Sequence, residues 1–554
     1  MPEFRPVPSP APGGRSPLRS PAWLLVAGLS VFLLLPLRGR HLYPDQDIPI
    51  GLALADMVRG DWRPATLVYP TALTNLLRAL FRVWLILAPG DTGTVDDVLA
   101  AWCTDPWPLR TVPRAVAVVA GIASLAASLR LGTLAAGPAA GMLAALYLGT
   151  AVGFVREHSH GMLDAPAAAA ATLALLFASR HVQTGSPAAA ILAGLCSGLA
   201  CSFKYHLALV GLGVLAGLLL APVASRRHLA VALGAGLAAV LATSPGLALD
   251  PLRAWQELAA FVPRQTSVLE AASSEGNRML AALALGLGWP VLALAASGAA
   301  IALWKRERVL APLGGFLVAY GALLAATPLV LNRYALPLMA PLAVLAARAV
   351  AAIPGRTARL LVTAVVLLAG APETAHQIRL TLAEDTRTAA ARWIEAQLPR
   401  TTPLYLTSGV YAAPDVLAAA LDPFAQVPGG LGRPLPAVCA RRRPLQVLSM
   451  LPRSPAQLVA LFRGGVVLTA EPPSAVFAPL STPPAVLALL ETHGREIAAF
   501  RSEATPGQQP VWEPFDQNYL PLAGAGALDR PGPTIRLWRV GPEPVTSPGA
   551  QNGP

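Results

Sequence analysis

The sequence predicts a polytopic α-helical membrane protein with one polar domain at its carboxyl end. Of the 554 residues, 54% are hydrophobic and only 13% are charged, whereas an ordinary soluble domain carries about 25% charged residues. The apolar runs are spread over the first two thirds of the chain, so a cleaved signal peptide does not explain them. These observations exclude a soluble enzyme or a disordered protein as the whole chain.

About eleven apolar runs predict membrane-spanning helices. Each is about 15–25 residues long, which is the length a helix needs to cross a hydrocarbon layer of about 30 Å. Residues 1–20 carry Pro and Arg without an apolar period, which predicts a disordered cytoplasmic tail. The apolar runs are residues 21–37, 111–131, 134–154, 164–180, 187–203, 205–222, 229–247, 279–304, 309–330, 335–352 and 358–372.

Residues 66–88 form one further apolar segment, whose placement decides the topology. If this segment does not span and the amino terminus is inside, the basic clusters around Arg226 and Lys305 lie on the cytoplasmic side, as the positive-inside rule requires. If it spans, these clusters move outside. We therefore expect a helix that lies on the outer membrane face, with Arg78 and Arg82 directed at lipid headgroups.

This topology divides the chain into a membrane module and an outer domain. Residues 21–372 form the transmembrane module, whose outer loop 38–110 carries surface helices. Residues 373–554 alternate helix-like with short strand-like stretches, which predicts an extracytoplasmic α/β domain of ordinary size. The net charge of +12 is almost entirely arginine. Because membrane proteins collect such charge on cytoplasmic loops, nucleic acid is not an expected partner.

Ionisable residues at the outer mouth of the bundle are the functional candidates, because such groups are costly near lipid. The first cluster, Tyr43-Pro44-Asp45-Gln46-Asp47, follows the first span. A carboxylate there, Asp45 or Asp47, is able to act as general base on an acceptor hydroxyl. The alternative is structural, since Asp47 precedes a helical stretch that an aspartate would cap.

A second cluster precedes the fourth span and contains His158, His160 and Asp164. These side chains suit phosphate or hydroxyl binding. They are also candidate ligands for a divalent metal, although a His-x-His pattern alone is weak evidence for one. The alternative assigns Asp164 to helix capping, with Pro166 in the first helical turn, and leaves the histidines solvated.

Two cationic clusters complete the outer mouth. Lys204 and Tyr205 lie at the junction of the fifth and sixth spans, and Arg333 and Tyr334 lie between the ninth and tenth. A lysine is able to neutralise a phosphate as a compact point charge, and an arginine is able to bind one through two parallel hydrogen bonds. The alternative for both clusters is anchoring at the membrane interface.

The four cysteines do not form a disulfide framework. Cys196 and Cys201 lie inside a predicted span, where we expect small packing residues. Cys103 and Cys439 both lie outside in the predicted topology, so a disulfide between them is one alternative and two free thiols the other.

In these clusters the chain resembles the bacterial lipid-carrier-dependent glycosyltransferases of the GT-C class, which include protein O-mannosyltransferases and the aminoarabinose transferase of lipid A. The stretch YPDQDIPIGLALADMVRGDWRPATLVYPT is similar to their first outer loop. FVREHSHGMLDAP is similar to their second acidic site, CSFKYH to their lysine element after span five, and NRYALPLMAPL to their Arg-Tyr element. The tail, with DTRTAAARWIEAQLP and PTIRLWRV, is similar to their outer domain, so the resemblance covers most of the chain in order.

The resemblance implies a GT-C fold and an inverting transfer of a sugar from a polyprenyl-phosphate donor. The acceptor is a lipid, glycan or protein at the outer face of the bacterial cytoplasmic membrane. Asp45 matches the family's catalytic aspartate and Asp164 its second acidic residue, while Lys204 and Arg333 match positions that hold the donor phosphate. The resemblance requires no cofactor, and a divalent metal stays an open alternative.

One residue departs from the family pattern. The glutamate that the family carries beside the first aspartate is Gln46 here, and a second acid, Asp47, follows it. Three options remain open: Asp47 supplies the missing charge, Asp47 is itself the base, or this member has lost activity. We expect Asp45 as the base with Asp47 in support.

Two other functions compete with glycosyl transfer. A transporter or flippase predicts polar groups and broken helices near the membrane midplane, often in an inverted repeat, and the sequence shows few midspan charges and no such repeat. A non-catalytic membrane scaffold needs no acidic pair in the first outer loop. The sequence therefore favours the enzyme.

Overall fold

The computed structural model describes residues 21–39, 47–60, 64, 66–87, 93–221, 226–272, 279–328, 330–408, 445–447, 455–471, 481–502, 510–513 and 519–541. The predicted tail 1–20, the candidate base Asp45 and Cys439 lie outside these residues.

Helices make up the membrane part of the described chain. In chain order they are α1 (Pro21–Leu34), α2 (Asp47–Arg59), α3 (Ala72–Leu87), α4 (Val95–Thr104), α5 (Trp107–Ala136), α6 (Pro138–Gly149), α7 (Val152–His158), α8 (Asp164–Thr184), α9 (Pro187–Phe203), α10 (Val210–Leu220), α11 (Arg226–Thr243), α12 (Gly246–Leu249), α13 (Pro251–Ala272), α14 (Met279–Leu287), α15 (Trp289–Trp304), α16 (Ala311–Ala325), α17 (Asn332–Ala352) and α18 (Arg356–Leu382).

Six of the described helical segments are long and apolar enough to cross a membrane, or up to eight if each of two bent helix pairs is one span. The bent pairs are α6 with α7, at 65°, and α14 with α15, at 107°. Two shorter apolar helical segments contain α9 and α10. The polytopic helical architecture is therefore confirmed, and the count of eleven spans stays a prediction.

Small residues let the helices of the bundle approach closely. A side-chain carbon built on Gly194 or Gly198 of α9 would collide with the backbone of α11, at Ala232 and Gly236. In the same way, a side chain at Gly298 of α15 would collide with the backbone of α17. Membrane helices associate through such van der Waals contact because lipid supplies no hydrophobic force between them.

The two ends of the bundle differ in charge. At one end, which we call the basic end, Arg348 pairs with Glu307 at 2.5 Å, and the Arg130 guanidinium lies 5.1 Å from the Trp23 ring centroid. At the other end, where α5, α8 and α17 begin, lie the acidic candidates Asp47 and Asp164. We call this second end the site end.

Three helices, α2 to α4, lie between α1 and α5 at the site end, within the predicted outer loop. The expectation that Arg78 of α3 faces lipid headgroups is wrong, because its side chain is 3% exposed and its Nη1 lies 3.9 Å from Asp56 Oδ2 of α2. Pairing with a carboxylate is what allows a guanidinium to be buried. Arg82, one turn later, is exposed. Cys103 of α4 is disulfide-bonded.

The described part of the carboxyl-terminal region contains a mixed five-stranded sheet. Its helices and strands are α19 (Thr386–Gln397), β1 (Leu404–Leu406), β2 (Leu445–Val447), α20 (Pro455–Phe462), β3 (Val466–Glu471), α21 (Pro484–His493), β4 (Gly494–Phe500) and β5 (Thr534–Val540). The strand order is β2-β1-β3-β5-β4, with β2, β1 and β3 parallel and β5 antiparallel to β3 and β4. The strand-like stretches of the sequence, PLYLTS, GGVVLTA and TIRLWRV, correspond to β1, β3 and β5.

The long helix α18 joins the sheet region to the bundle and runs through the predicted domain boundary between residues 372 and 373. Its last turns form hydrogen bonds with residues 525–528, which come much later in the chain. The Glu373 carboxylate accepts a hydrogen bond from the Ala525 N–H at 2.8 Å, and Arg379 Nη2 donates to the Leu528 carbonyl. The carboxyl-terminal region therefore contacts the site end of the bundle.

Candidate active site

Three predicted site residues from three different helices meet at the site end. Asp164 opens α8, Lys204 follows the last residue of α9, and Tyr334 lies in the first turn of α17. Lys204 Nζ donates to Asp164 Oδ1 and lies 4.4 Å from the centroid of the Tyr334 ring. The lysine side chain is 12% exposed and the aspartate 4%. The ammonium is thus held between a carboxylate and an aromatic face.

Local backbone geometry explains why the aspartate is available for this pair. The sequence allowed Asp164 to act as a helix cap, but the N-cap position belongs to Leu163 and makes no side-chain cap bond. Lys204 has an extended backbone at the end of α9, with φ −154° and ψ 115°, and its own N–H still bonds to Ala200 O. The side chains of the two helix ends are therefore free to turn toward each other.

An aromatic group lies beside this pair, and its member Tyr320 was not singled out by the sequence. The Tyr320 hydroxyl of α16 donates to the Tyr334 carbonyl at 3.0 Å. The His206 ring stacks on Tyr320 with centroids 5.7 Å apart and lies 6.2 Å from Tyr334. Tyr320 is fully buried. These contacts fix the position of the Tyr334 backbone next to Lys204.

Tyr205 turns away from its neighbour Lys204 toward the outer loop. Its hydroxyl donates to the Leu67 carbonyl at 2.9 Å. The same loop is bound by Glu257 of α13, whose carboxylate accepts hydrogen bonds from the Leu67 N–H at 2.6 Å and the Thr66 hydroxyl at 2.8 Å. Burial raises the pKa of Glu257, but these bonds and the contacts with Arg253 lower it, and the net pKa lies below its ordinary value.

Arg333 is the neighbour of Tyr334 in α17, and its guanidinium carbon lies 5.7 Å from the Tyr334 ring centroid. The structure therefore places Lys204 and Arg333 around one aromatic ring. Two cations at the ends of apolar helices form a site that suits an anionic group.

Asp47, the first residue of α2, lies in a buried ion pair. Arg110 of α5 donates to it through Nε at 2.9 Å and Nη2 at 2.7 Å. The guanidinium also lies over the rings of Trp102 and Trp107, at 5.4 and 5.3 Å from their centroids. Sequence reasoning missed Arg110, and Asp45 lies outside the described residues.

The two histidines of the second cluster have different surroundings. His158 is a core residue, because its Nδ1 contacts the Phe154 carbonyl at 2.7 Å and a side chain at Gly121 of α5 would collide with its ring. His160 Nδ1 lies 3.8 Å from Glu157 Oε2. Both rings are buried, so the alternative that leaves these histidines solvated is wrong for each.

No group of three or more His, Cys, Asp or Glu side chains within the described residues is arranged to hold a metal ion.

Comparisons with known proteins identify the fold. The family model described as dolichyl-phosphate-mannose-protein mannosyltransferase matches residues 107–248, which include Asp164 and Lys204. No curated protein sequence matches the chain significantly. The crystal structure of ArnT from Cupriavidus metallidurans bound to undecaprenyl phosphate is similar with a TM-score of 0.51 and 14% identity, over 93% of this chain and 97% of that protein. The chain has the GT-C fold.

Two other solved structures are similar at lower TM-scores. The oligosaccharyltransferase of Archaeoglobus fulgidus tethered with an acceptor peptide gives 0.45 at 12% identity, over 92% of this chain and 78% of that one. The arabinofuranosyltransferase AftD from Mycobacteria gives 0.42 at 15% identity, over 94% and 40%. The fold assignment depends on ArnT alone.

Within this GT-C fold, five of the described site residues fall into two groups rather than one. Asp164, Lys204, Arg333 and Tyr334 are linked by direct contacts. Asp47 belongs to a second group around Arg110.

Proposed function

We propose that the chain is an integral-membrane glycosyltransferase that moves a sugar from a polyprenyl-phosphate donor to an acceptor at the outer face of the cytoplasmic membrane. The observation that carries the proposal is the Lys204 ammonium, held between Asp164 and Tyr334 where apolar helices end. The GT-C fold shared with ArnT, whose structure contains undecaprenyl phosphate, supports it. The acceptor is a lipid, a glycan or a protein.

Lys204 and Arg333 are proposed to bind the donor phosphate. A lipid phosphosugar is anionic at its head and apolar along its tail, so it needs a cation at the membrane surface next to lipid-facing helices. Lysine presents a compact charge on a flexible stem, which is able to exchange one anionic partner for another. Asp164 pairs with the ammonium, and the Tyr334 ring lies against it.

In the proposed reaction the acceptor hydroxyl attacks the anomeric carbon of the sugar as the bond from that carbon to the phosphate oxygen breaks. The bonding electrons leave with the lipid phosphate, where the cations stabilise the charge. The hydroxyl proton passes to a carboxylate that acts as general base. Attack from the face opposite the leaving phosphate inverts the configuration at that carbon.

We propose Asp45 as this base and Asp47 as its support. Uptake of a proton by Asp47 would weaken two charge-assisted hydrogen bonds and leave the buried Arg110 guanidinium without its full counter-charge. The ion pair favours instead a positional role, in which Asp47 holds the start of α2 against α5. The residue before it, Gln46, carries no charge.

The finer topology is part of the proposal. Eleven spans, with the amino terminus inside and residues 373–554 outside, place the site end at the outer face and the basic end in the cytoplasm. The contact of Arg348 with Glu307, and the many basic residues near it, support this orientation.

The competing functions are not favoured. A transporter predicts broken helices at the membrane midplane. In this chain, Gly153 of α7 and Gly286 of α14, which lie beside the two bends, pack against Asn332 at the beginning of α17. The bends therefore lie at the site end, and a scaffold would need neither the bends nor the cationic site.

The test is transfer of radiolabelled sugar from a polyprenyl-phosphate donor by the purified full-length protein. We expect Asp45→Asn to abolish transfer and Asp47→Asn to reduce it, while the matched control Asp529→Asn, an exposed acid of the carboxyl-terminal region, leaves it unchanged. Undiminished transfer by both the Asp45→Asn and the Asp47→Asn variants would contradict the roles proposed for these two aspartates. Parallel reactions with and without EDTA measure the metal requirement.

A further inference from the structure

The carboxyl-terminal region contacts the membrane bundle at the first residue of α17. The Glu513 carboxylate accepts a hydrogen bond from the backbone N–H of Asn332. Asn332 is fully buried and Glu513 is 6% exposed. The first N–H groups of a helix have no partner within it, and a carboxylate at this end also interacts favourably with the helix dipole. Glu513 thus acts as a cap that a distant part of the chain supplies.

A buried polar network fixes this contact on both sides. Asn332 Nδ2 donates to Glu157 Oε1 at 3.0 Å. Arg156 Nη1 lies between the two carboxylates, paired with Glu157 and 3.3 Å from Glu513 Oε2. Its Nε donates to the Leu520 carbonyl at 3.1 Å. The Arg156 guanidinium of α7 therefore contacts both carboxylates that bind Asn332 at the start of α17, and one of these carboxylates, Glu513, belongs to the carboxyl-terminal region.

The helix end that Glu513 holds is also the helix end that carries the cationic site. Arg333 and Tyr334 follow Asn332 in the same helical turn, and the Tyr334 ring covers Lys204 at 4.4 Å. Since residues of one turn move together, a shift of Asn332 would displace the ring from the ammonium.

We propose that Glu513 is a positioning residue, through which the carboxyl-terminal region holds Arg333 and Tyr334 over Lys204 and so sets the affinity of the site for the lipid phosphate. The ligand in this statement rests on the proposed glycosyltransferase function. The mechanical part of the proposal is that Glu513 controls how the Tyr334 ring covers Lys204. This part does not rest on the proposed function.

The mechanical part is tested by lysine labelling, because Lys204 and Lys305 are the only lysines and Lys305 is exposed at the basic end. Reductive methylation of the detergent-solubilised protein, read by peptide mass spectrometry, gives the ratio of Lys204 to Lys305 modification. We expect Glu513→Ala to raise this ratio about fivefold, the population change that loss of one helix cap produces. Glu513→Gln, whose amide oxygen still accepts from the Asn332 N–H, should raise it less.

Glu373→Gln is the matched control. Glu373 also binds a backbone N–H between the two parts of the chain, at Ala525, but it does so from α18 and not at the first residue of α17. An unchanged ratio in Glu513→Ala, or an equal rise in Glu373→Gln, overturns the proposal. If Glu513→Ala does not yield folded protein, the comparison of Glu513→Gln with Glu373→Gln decides in the same way.

Kinetics then test the ligand. With a polyprenyl-phosphate sugar as donor, we expect Glu513→Ala to raise the donor KM about fivefold with a smaller change in kcat. A change confined to kcat overturns the link to donor binding. Absence of transfer by the wild type, together with the expected labelling ratios, contradicts the proposed function and leaves the positioning role of Glu513 supported.

Discussion

Replacing Arg110 by methionine should destabilise the protein strongly. The guanidinium is fully buried, makes two hydrogen bonds to Asp47 and lies over the rings of Trp102 and Trp107. Methionine keeps most of the volume but leaves the Asp47 carboxylate, 4% exposed, without its guanidinium. Removing one partner of a buried pair costs about 3–5 kcal/mol. We expect a loss of about that size in the free energy of unfolding.

The measurement is reversible unfolding in mixed detergent–SDS micelles, as a double-mutant cycle of Asp47→Leu and Arg110→Met. Because an apolar pair avoids the cost of an unpaired buried charge, the double variant should be less destabilised than the sum of the single variants. The control is Arg253→Met, whose pair with Glu257 is 34% and 24% exposed and should contribute less than about 1 kcal/mol. Additive single effects would refute the buried pair as the source of stability.

Three further predictions concern the site, the outer loop and the topology. Lys204→Met should raise the donor KM about tenfold, as loss of one charge-assisted contact would, whereas Lys305→Met at the basic end leaves it unchanged. Since the pKa of Glu257 is lowered on folding, its stabilisation is present above its ordinary pKa and is lost as the pH falls toward the lowered value; Glu257→Gln should flatten the acid side of the melting-temperature profile. Reporter fusions should give an extracytoplasmic signal after Leu87 and a cytoplasmic signal after Arg306, and the reverse at Leu87 would overturn the surface-helix topology.

The sequence predicted that Asp164 and Lys204 lie at the same end of the bundle, although 40 residues separate them, but it did not predict their direct contact. Alternation of spans across the membrane brings helix ends to one face, and polar residues at those ends are costly unless they pair. The partner of Asp47 was not predicted. The sequence nevertheless contained a signal for this partner: Arg110 begins a span at the end that the predicted topology places outside, where the positive-inside rule disfavours arginine.

Tyr320 and Glu513 show where sequence reasoning stops. Tyr320 lies within an apolar helix, so nothing near it in the sequence marks it as part of a polar site. Glu513 lies 181 residues from Asn332, in a stretch with no helical or strand period. The contacts of both residues depend on tertiary packing. The local hydrophobic pattern of the sequence, which predicts helices and strands, does not indicate such contacts.

Three buried arginines at the site end differ from Lys204, and the difference supports the proposed role of this lysine. Arg110, Arg114 and Arg156 are among the largest fully buried side chains of the described residues, and each donates to a carboxylate or a backbone carbonyl. Their planar donor geometry suits fixed, multiple hydrogen bonds. Lys204 is partly exposed and its ammonium is able to turn toward another anion without breaking a bidentate arrangement. These three buried arginines therefore hold the loops and helix ends in place, whereas Lys204, together with Arg333, would supply the charge that a donor phosphate reaches.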